Sequence, residues 1–229
     1  RSLSTSKQMH LDLYVMLFPT EKNIQFAQKN GKINESHFVV RSFKVMGDGA
    51  LGSHGALLKQ PYSDELTSHG LLTTKVEELQ RIARLAKQLG YQLNVHAIGD
   101  STNRIVLNVI KEVATKTPDH RWRIEHAQVV DPADFLLFAE TGAIPSVQPV
   151  HAVSDRHWAA KRLGPKRLKG AYAYRSLLEQ TGILALGTDF PVEYYNPFLT
   201  IQAAVYRTNA ENEPIGGFLT AETISEEEC

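Results

Sequence analysis

Short runs of apolar and β-branched residues alternate along the chain with longer stretches in which apolar residues recur at helical spacing. The clearest helical stretch is Val76–Leu89, and Gly90 follows it at the position typical of a C-cap glycine. The same spacing predicts further helices at Glu21–Asn30, 102–114, 132–141 and 168–180. The apolar runs predict strands at 11–17, Phe38–Met46, 92–96, 122–126, 143–147 and 183–186.

The order of these elements predicts an α/β fold. Six strand-helix units follow one another, and no low-complexity tract, short-period repeat or linker divides them, so residues 1–229 are expected to form one domain. Strict alternation favours a parallel sheet with helices outside, because parallel neighbours need a crossover connection. The pattern leaves open whether the sheet is open or closed into a barrel.

Polar residues that can bind a metal recur where the predicted strands end. A lone histidine at a strand end is more often a packing residue than a ligand, but several at corresponding positions of successive units favour a shared site. In parallel barrels the catalytic groups gather at the carboxyl ends of the strands. The residues in question are Lys44, His96, His126, Gln148 with His151, and Asp189.

Two acidic residues near these strand ends call for different interpretations. Asp189 follows an apolar strand, where a carboxylate needs a metal, a cation or hydrogen-bond donors to stay ionised. Glu125 precedes His126 on the same strand, so the two-residue alternation of a strand predicts that it points away from the centre as an ion-pair residue.

Composition narrows the classes of partner. The 25 Lys and Arg residues balance the 25 Asp and Glu residues, so neither nucleic acid nor an anionic membrane surface is an expected partner. No apolar run approaches the roughly 20 residues that a membrane helix needs. The single cysteine, Cys229, excludes an internal disulfide framework, which favours a cytoplasmic location.

Five segments resemble amidohydrolase family 3, the branch of the amidohydrolase superfamily that includes N-substituted formamide deformylases. They occur in the family's own order, and the resemblance begins near Phe38. The segments are FKVMGDGALGSHGA (43–56), LNVHAIGD (93–100), RIEHAQVV (123–130), SVQPVHAVSD (146–155) and LGTDFPVEYYNP (186–197).

The resemblance implies a (β/α)8 barrel with a divalent metal, zinc being the usual choice for such ligands. By resemblance, the metal ligands are His96, His126, Asp189 and Lys44, a lysine that related enzymes can carboxylate. Asp189 also moves a proton in the family's chemistry, in which a metal-activated water cleaves a C–N bond of an amide, formamide or cyclic amide. The substrate-binding residues implied by resemblance are Gln148, His151 and Asp48.

The family's first strand normally ends in a His-x-His pair, and no two of the nine histidines here lie two apart. The resemblance therefore predicts a partial barrel of about six βα units that lacks the first two strands and the usual small β-sandwich. Such a fragment would be inactive or weakly active. It would also expose sheet edges, so we expect a homodimer, or a gap filled by the chain's own N-terminal segment.

Two other functions compete with this interpretation. The chain could be a non-catalytic barrel remnant that serves as a binding or assembly module, in which case it would hold no stoichiometric metal. A barrel glycosidase would need two carboxylates across the pocket, and the strand ends offer only Asp189.

Overall fold

The computed structural model describes residues 10–114, 117 and 119–229, so the first nine residues of the predicted domain lie outside it. Six parallel strands form one sheet and lie side by side in the order of the sequence. A short antiparallel strand, β2 (Ile33–Glu35), pairs with the second of them. The parallel strands are β1 (Leu13–Leu17), β3 (Phe38–Met46), β4 (Gln92–Ala97), β5 (Arg123–His126), β6 (Ile144–Val147) and β7 (Ala185–Leu186).

Eight α-helices lie within the described residues, and the sheet curls into a half-barrel, which confirms the predicted α/β fold of partial-barrel type. None of these eight helices exceeds 14 residues, whereas a helix that crosses a membrane needs about 20. The helices are α1 (Glu21–Asn30), α2 (Val76–Leu89), α3 (Asp100–Val113), α4 (Phe135–Thr141), α5 (Pro149–Ser154), α6 (Ala159–Arg167), α7 (Tyr174–Thr181) and α8 (Pro197–Tyr206).

The two faces of the sheet differ in chemistry. On the outer face, Phe43 pairs with Leu93 and Val45 with Val95, and these side chains are buried in the core with the apolar residues of α2 and α3. On the inner face, Lys44 lies beside Asn94, and Met46 beside His96. Because side chains alternate between faces, these two strands bury apolar residues on the outer face and place Lys44, Asn94 and His96 on the inner face.

Most predicted elements are present with bounds that differ by no more than two residues. The predicted helix 168–180 is the main exception, because Leu168–Gly170 is a 3-10 turn and the α-helix begins only at Tyr174. Between them Tyr172 has a left-handed backbone (φ 51°), which a continuous helix cannot accommodate. The sequence patterns did not predict β2, α5, α6 or α8.

Candidate functional site

A pocket of about 460 Å³ opens at the carboxyl ends of the strands. Five of the seven predicted site residues line it, namely Lys44, His96, His126, His151 and Asp189. The rest of its lining comes from strand ends and the loops that follow them: Met46, Ala50, Leu51, Gly52, Ile98, Gln128, Asp155, Trp158, Val192 and Glu193.

A left-handed turn at the end of β5 brings His126 into the pocket. Strand alternation alone would turn His126 away from the face that carries His96. The backbone φ is 76° at His126 and 42° at Ala127, so the chain leaves the strand geometry there. The His126 ring consequently lies 4.5 Å from the His96 ring, centroid to centroid.

Three residues present donor atoms close enough to share one ion. One donor atom from each of His126, His151 and Asp189 lies within 4.8 Å of the others. His151 comes from α5, its ring is nearly parallel to that of His126 at a centroid distance of 6.0 Å, and its Nε2 lies 3.8 Å from Asp189 Oδ2. His151 therefore stands with the predicted ligands His126 and Asp189, although sequence reasoning assigned it to substrate binding.

Asp48 lies behind His96, outside the lining of the pocket. Its carboxylate is buried and accepts hydrogen bonds of 2.9–3.0 Å from the backbone N–H groups of Leu57, Ile98 and Gly99. Its Oδ1 is 3.6 Å from His96 Nε2. Asp48 thus joins the loop after β3 to the loop after β4 and lies beside His96, whereas the resemblance implied a substrate-binding role for it.

Gln148 is also buried outside the pocket lining. Its side-chain Nε2 donates to the backbone carbonyl of Ser146 at 3.2 Å, and its backbone carbonyl accepts from the Tyr174 hydroxyl at 3.1 Å. These contacts fix the end of β6 and the start of α5, the helix that carries His151.

Glu125 lies on the inner face, and the expectation that it points outward is wrong. It pairs in register with His96, and its Oε1 accepts from Arg123 Nε at 2.9 Å, which confirms its predicted role in an ion pair. The alternation argument failed because it assumed that His126 keeps strand geometry.

Burial lowers the pKa of Lys44, and the charges of Glu125 and Asp189 partly oppose that shift.

The imidazoles of the pocket differ in charge. Burial, reinforced by the charge of Lys44, lowers the pKa of His96 to about 4, and burial together with His96 lowers the pKa of His126 to about 3. Burial also opposes a charge on His151, but the carboxylates of Asp189 and Glu193 outweigh it and raise its pKa to about 9. His96 and His126 are thus neutral at pH 7, the form that binds metals.

Four polar or aromatic residues of the pocket lining were given no site role from the sequence: Gln128, Asp155, Trp158 and Glu193. Gln128 follows His126 by two residues and Glu193 follows Asp189 by four, so proximity to a predicted ligand was the available signal. Asp155 and Trp158 lie between α5 and α6, which had not been predicted as helices.

A curled parallel sheet with histidines and an aspartate converging at its carboxyl edge defines a barrel-type protein with a candidate metal site. The chain belongs to the amidohydrolase family, whose family model matches residues 1–229.

Individual relatives agree with this assignment. Protein LONG AFTER FAR-RED 3 of Arabidopsis thaliana is 36% identical over 182 residues, which cover 78% of this chain and 31% of that protein. The crystal structure of an uncharacterized metal-dependent hydrolase from Pyrococcus furiosus superposes with a TM-score of 0.83 and 30% identity, covering 99% of this chain and 45% of that one. A corresponding structure from Pyrococcus horikoshii OT3 gives 0.80 and 31%, covering 90% and 41%. The chain thus spans less than half the length of each of these relatives.

Proposed function

We propose that this chain carries the site of a metal-dependent hydrolase that cleaves a C–N bond in a small amide, formamide or cyclic amide. The observation that carries the proposal is the convergence of His126, His151 and Asp189, with donor atoms within 4.8 Å of one another, in a pocket at the strand ends. Family membership and the resemblance to solved metal-dependent hydrolases support it.

The residues fit a divalent ion, and Zn²⁺ is the proposed one. Imidazole and carboxylate donors suit Zn²⁺, and the buried Nδ1 of His126 has no hydrogen-bond partner among the described residues. Both the resemblance and the geometry support His126 and Asp189 as proposed ligands. His96 and a carboxylated Lys44 stay proposed ligands, and the geometry adds His151.

A bound Zn²⁺ would supply water activation near neutral pH and would polarise a substrate carbonyl. Asp189 is the proposed proton carrier, because its carboxylate, whose pKa the neighbouring His151 lowers, is ionised at pH 7 and lies beside the proposed metal position. The same group can then pass that proton to the leaving nitrogen. The pocket of about 460 Å³ has room for a small molecule.

The assay pairs each amide, formamide or lactam with the ester or lactone of the same shape, with added Zn²⁺ or with a chelator. We expect Zn²⁺-dependent release of amine, reduced by about 100-fold or more in Asp189→Asn because a general acid-base group is lost. The control is His157→Ala, which removes an exposed histidine outside the pocket.

Turnover of esters alone, or an Asp189→Asn rate equal to that of the parent, would refute the proposed reaction. We expect this activity to be weak, so amine release is followed with a fluorogenic reagent. If the chain neither binds Zn²⁺ nor turns over any amide, the alternative of a non-catalytic binding or assembly module gains support.

Self-association and a cytoplasmic location stay predictions from the sequence. The dimer is supported by exposed aromatic residues around the loop after β7, where Phe190, Tyr195 and Phe198 are 63%, 62% and 74% exposed. Size-exclusion chromatography with light scattering tests it.

A further inference from the structure

Asp155 forms part of the pocket wall, and two neutral side chains hold it there. Its Oδ2 accepts a hydrogen bond of 2.7 Å from the Tyr172 hydroxyl and one of 3.2 Å from Gln128 Nε2. Gln128 Nε2 also donates to the Tyr172 hydroxyl oxygen at 3.0 Å. The three groups form a closed triangle, so the orientation of the carboxylate is fixed.

The backbone behind this triangle is equally constrained. Tyr172 is fully buried in a left-handed conformation, and its N–H donates to the carbonyl of Gln128 at 2.7 Å. The buried guanidinium of Arg207 donates through Nη2 to the carbonyl of Tyr172 at 3.0 Å. Asp155 is therefore presented by packed, buried groups rather than by a flexible loop.

Asp155 differs from the other two carboxylates of the pocket in its partners. Asp189 and Glu193 both face His151, at 3.8 Å and 3.1 Å, and Ser154 donates to Glu193 at 2.6 Å. The hydrogen bonds of Asp155 come only from neutral groups, and within residues 10–114, 117 and 119–229 none reaches its Oδ1.

Burial of the Asp155 side chain disfavours its negative charge. Burial raises the pKa of Asp155, while the Tyr172 hydrogen bond and the charge of His151 lower it only in part. A carboxylate held by buried neutral partners gains most from a cationic or N–H donor that enters the pocket.

Apolar side chains form another part of the pocket wall. They belong to Met46, Leu51, Ile98, Trp158 and Val192. The Trp158 indole packs on Gly52, where an added Cβ would lie 3.2 Å from the ring atom Cζ2, so the loop after β3 and the indole are in close contact. The pocket thus combines a fixed carboxylate with apolar side chains, and its volume of about 460 Å³ has room for a six-membered ring.

We propose that Asp155 is a specificity-determining residue that binds an organic ammonium group carried by an apolar ring or chain. The proposal rests on the proposed function in one respect, because a protonated amine is the kind of product that hydrolysis of an amide C–N bond releases. The recognition itself requires only Asp155 and the apolar wall, so it can be tested in the presence or absence of metal.

The experiment measures binding of cyclohexylammonium and of cyclohexanol, which share a ring and differ in the charged group. Binding is followed at pH 7 in the full chain by the NMR signal of the Trp158 indole N–H. The indole of Trp122, which is buried and lies outside the pocket, serves as the internal control. Each titration is run without metal and with Zn²⁺.

We expect cyclohexylammonium to bind at least about tenfold more tightly than cyclohexanol, the usual order for a charge-assisted hydrogen bond. Asp155→Asn should abolish the preference, and Asp155→Ala should do the same while leaving space for water at the Tyr172 hydroxyl. Glu211→Gln removes one exposed acidic charge outside the pocket and should leave the preference unchanged.

Equal affinities for the two probes, no shift of the Trp158 signal with either, or a preference that persists in both Asp155 variants would overturn the proposal. Failure of the hydrolase proposal gives a different result, in which no Zn²⁺ binds but the ammonium preference and its dependence on Asp155 remain. Zn²⁺ binding without an ammonium preference overturns the role of Asp155 alone.

Discussion

At the scale of single residues, backbone conformation decides which side chains meet. His126 reaches the pocket because its φ is 76°, and Glu125 can therefore share the inner face with His96. The residue types and their positions at strand ends were readable from the sequence. The left-handed turn was not, because a non-glycine residue gives little local signal for a positive φ.

The position of His151 was also not predictable from the sequence. Its place in sequence, three residues after Gln148, predicts a loop residue, whereas α5 carries it to within ligand distance of His126 and Asp189. A helix of six residues is too short for a periodic pattern to reveal.

The pH dependence of Zn²⁺ affinity distinguishes a ligand role of His151 from a pocket role. With a pKa of about 9, His151 is protonated at pH 7 and must lose that proton before it binds an ion. Affinity should therefore rise by about tenfold per pH unit between pH 6 and pH 8 and fall as the pH falls. Competition with a chelator of known proton affinity measures it.

The other two predicted histidine ligands serve as an internal reference for this prediction. His96 and His126, with pKa values of about 4 and 3, are neutral throughout the same range. His151→Ala should accordingly give a weaker affinity with little pH dependence. A pH-independent affinity in the parent would show that His151 is not a ligand.

At the scale of elements, regular periodicity and strand order were predictable, and the irregular connections were not. Phe38–Met46 and Val76–Leu89 match the predicted bounds because each has an uninterrupted pattern and a terminating glycine nearby. The connection from β6 to β7 contains three α-helices, α5 to α7, and a kink at Gly164 (φ 70°), and only the last of these helices was predicted in part.

A glycine lets the loop after β4 approach the loop after β3. A Cβ at Gly99 would lie 2.0 Å from the carbonyl oxygen of Leu57, so the loops after β3 and β4 touch backbone to backbone. The same two loops supply the N–H groups that bind Asp48. Close contact of these loops therefore supports the Asp48–His96 arrangement.

Gly99→Ala should lower the free energy of unfolding by about 1–3 kcal/mol or more, because the added methyl group overlaps a backbone oxygen that cannot move freely. Urea denaturation of the metal-free chain measures the change. Gly187→Ala is the matched control, since no atom of the described chain lies within 4 Å of its added Cβ and we expect a change near zero. Equal stability of the two variants would refute the close contact.

At the scale of the whole molecule, alternating units were enough to predict a parallel α/β sheet with six strands. They could not decide between an open sheet and a barrel, because curling depends on twist and on the packing of both faces. The polar inner face, with Lys44, Asn94 and Glu125 in adjacent strands, is the feature that places chemistry inside the curve.

We propose that this molecule holds one divalent ion through His126 and Asp189. The most direct test equilibrates the chain with Zn²⁺, removes free metal by gel filtration and measures zinc by mass spectrometry. We expect about one Zn²⁺ per parent chain and per His157→Ala control, and none in the double variant His126→Ala with Asp189→Asn. A parent chain without zinc, or a double variant that retains it, would contradict the account.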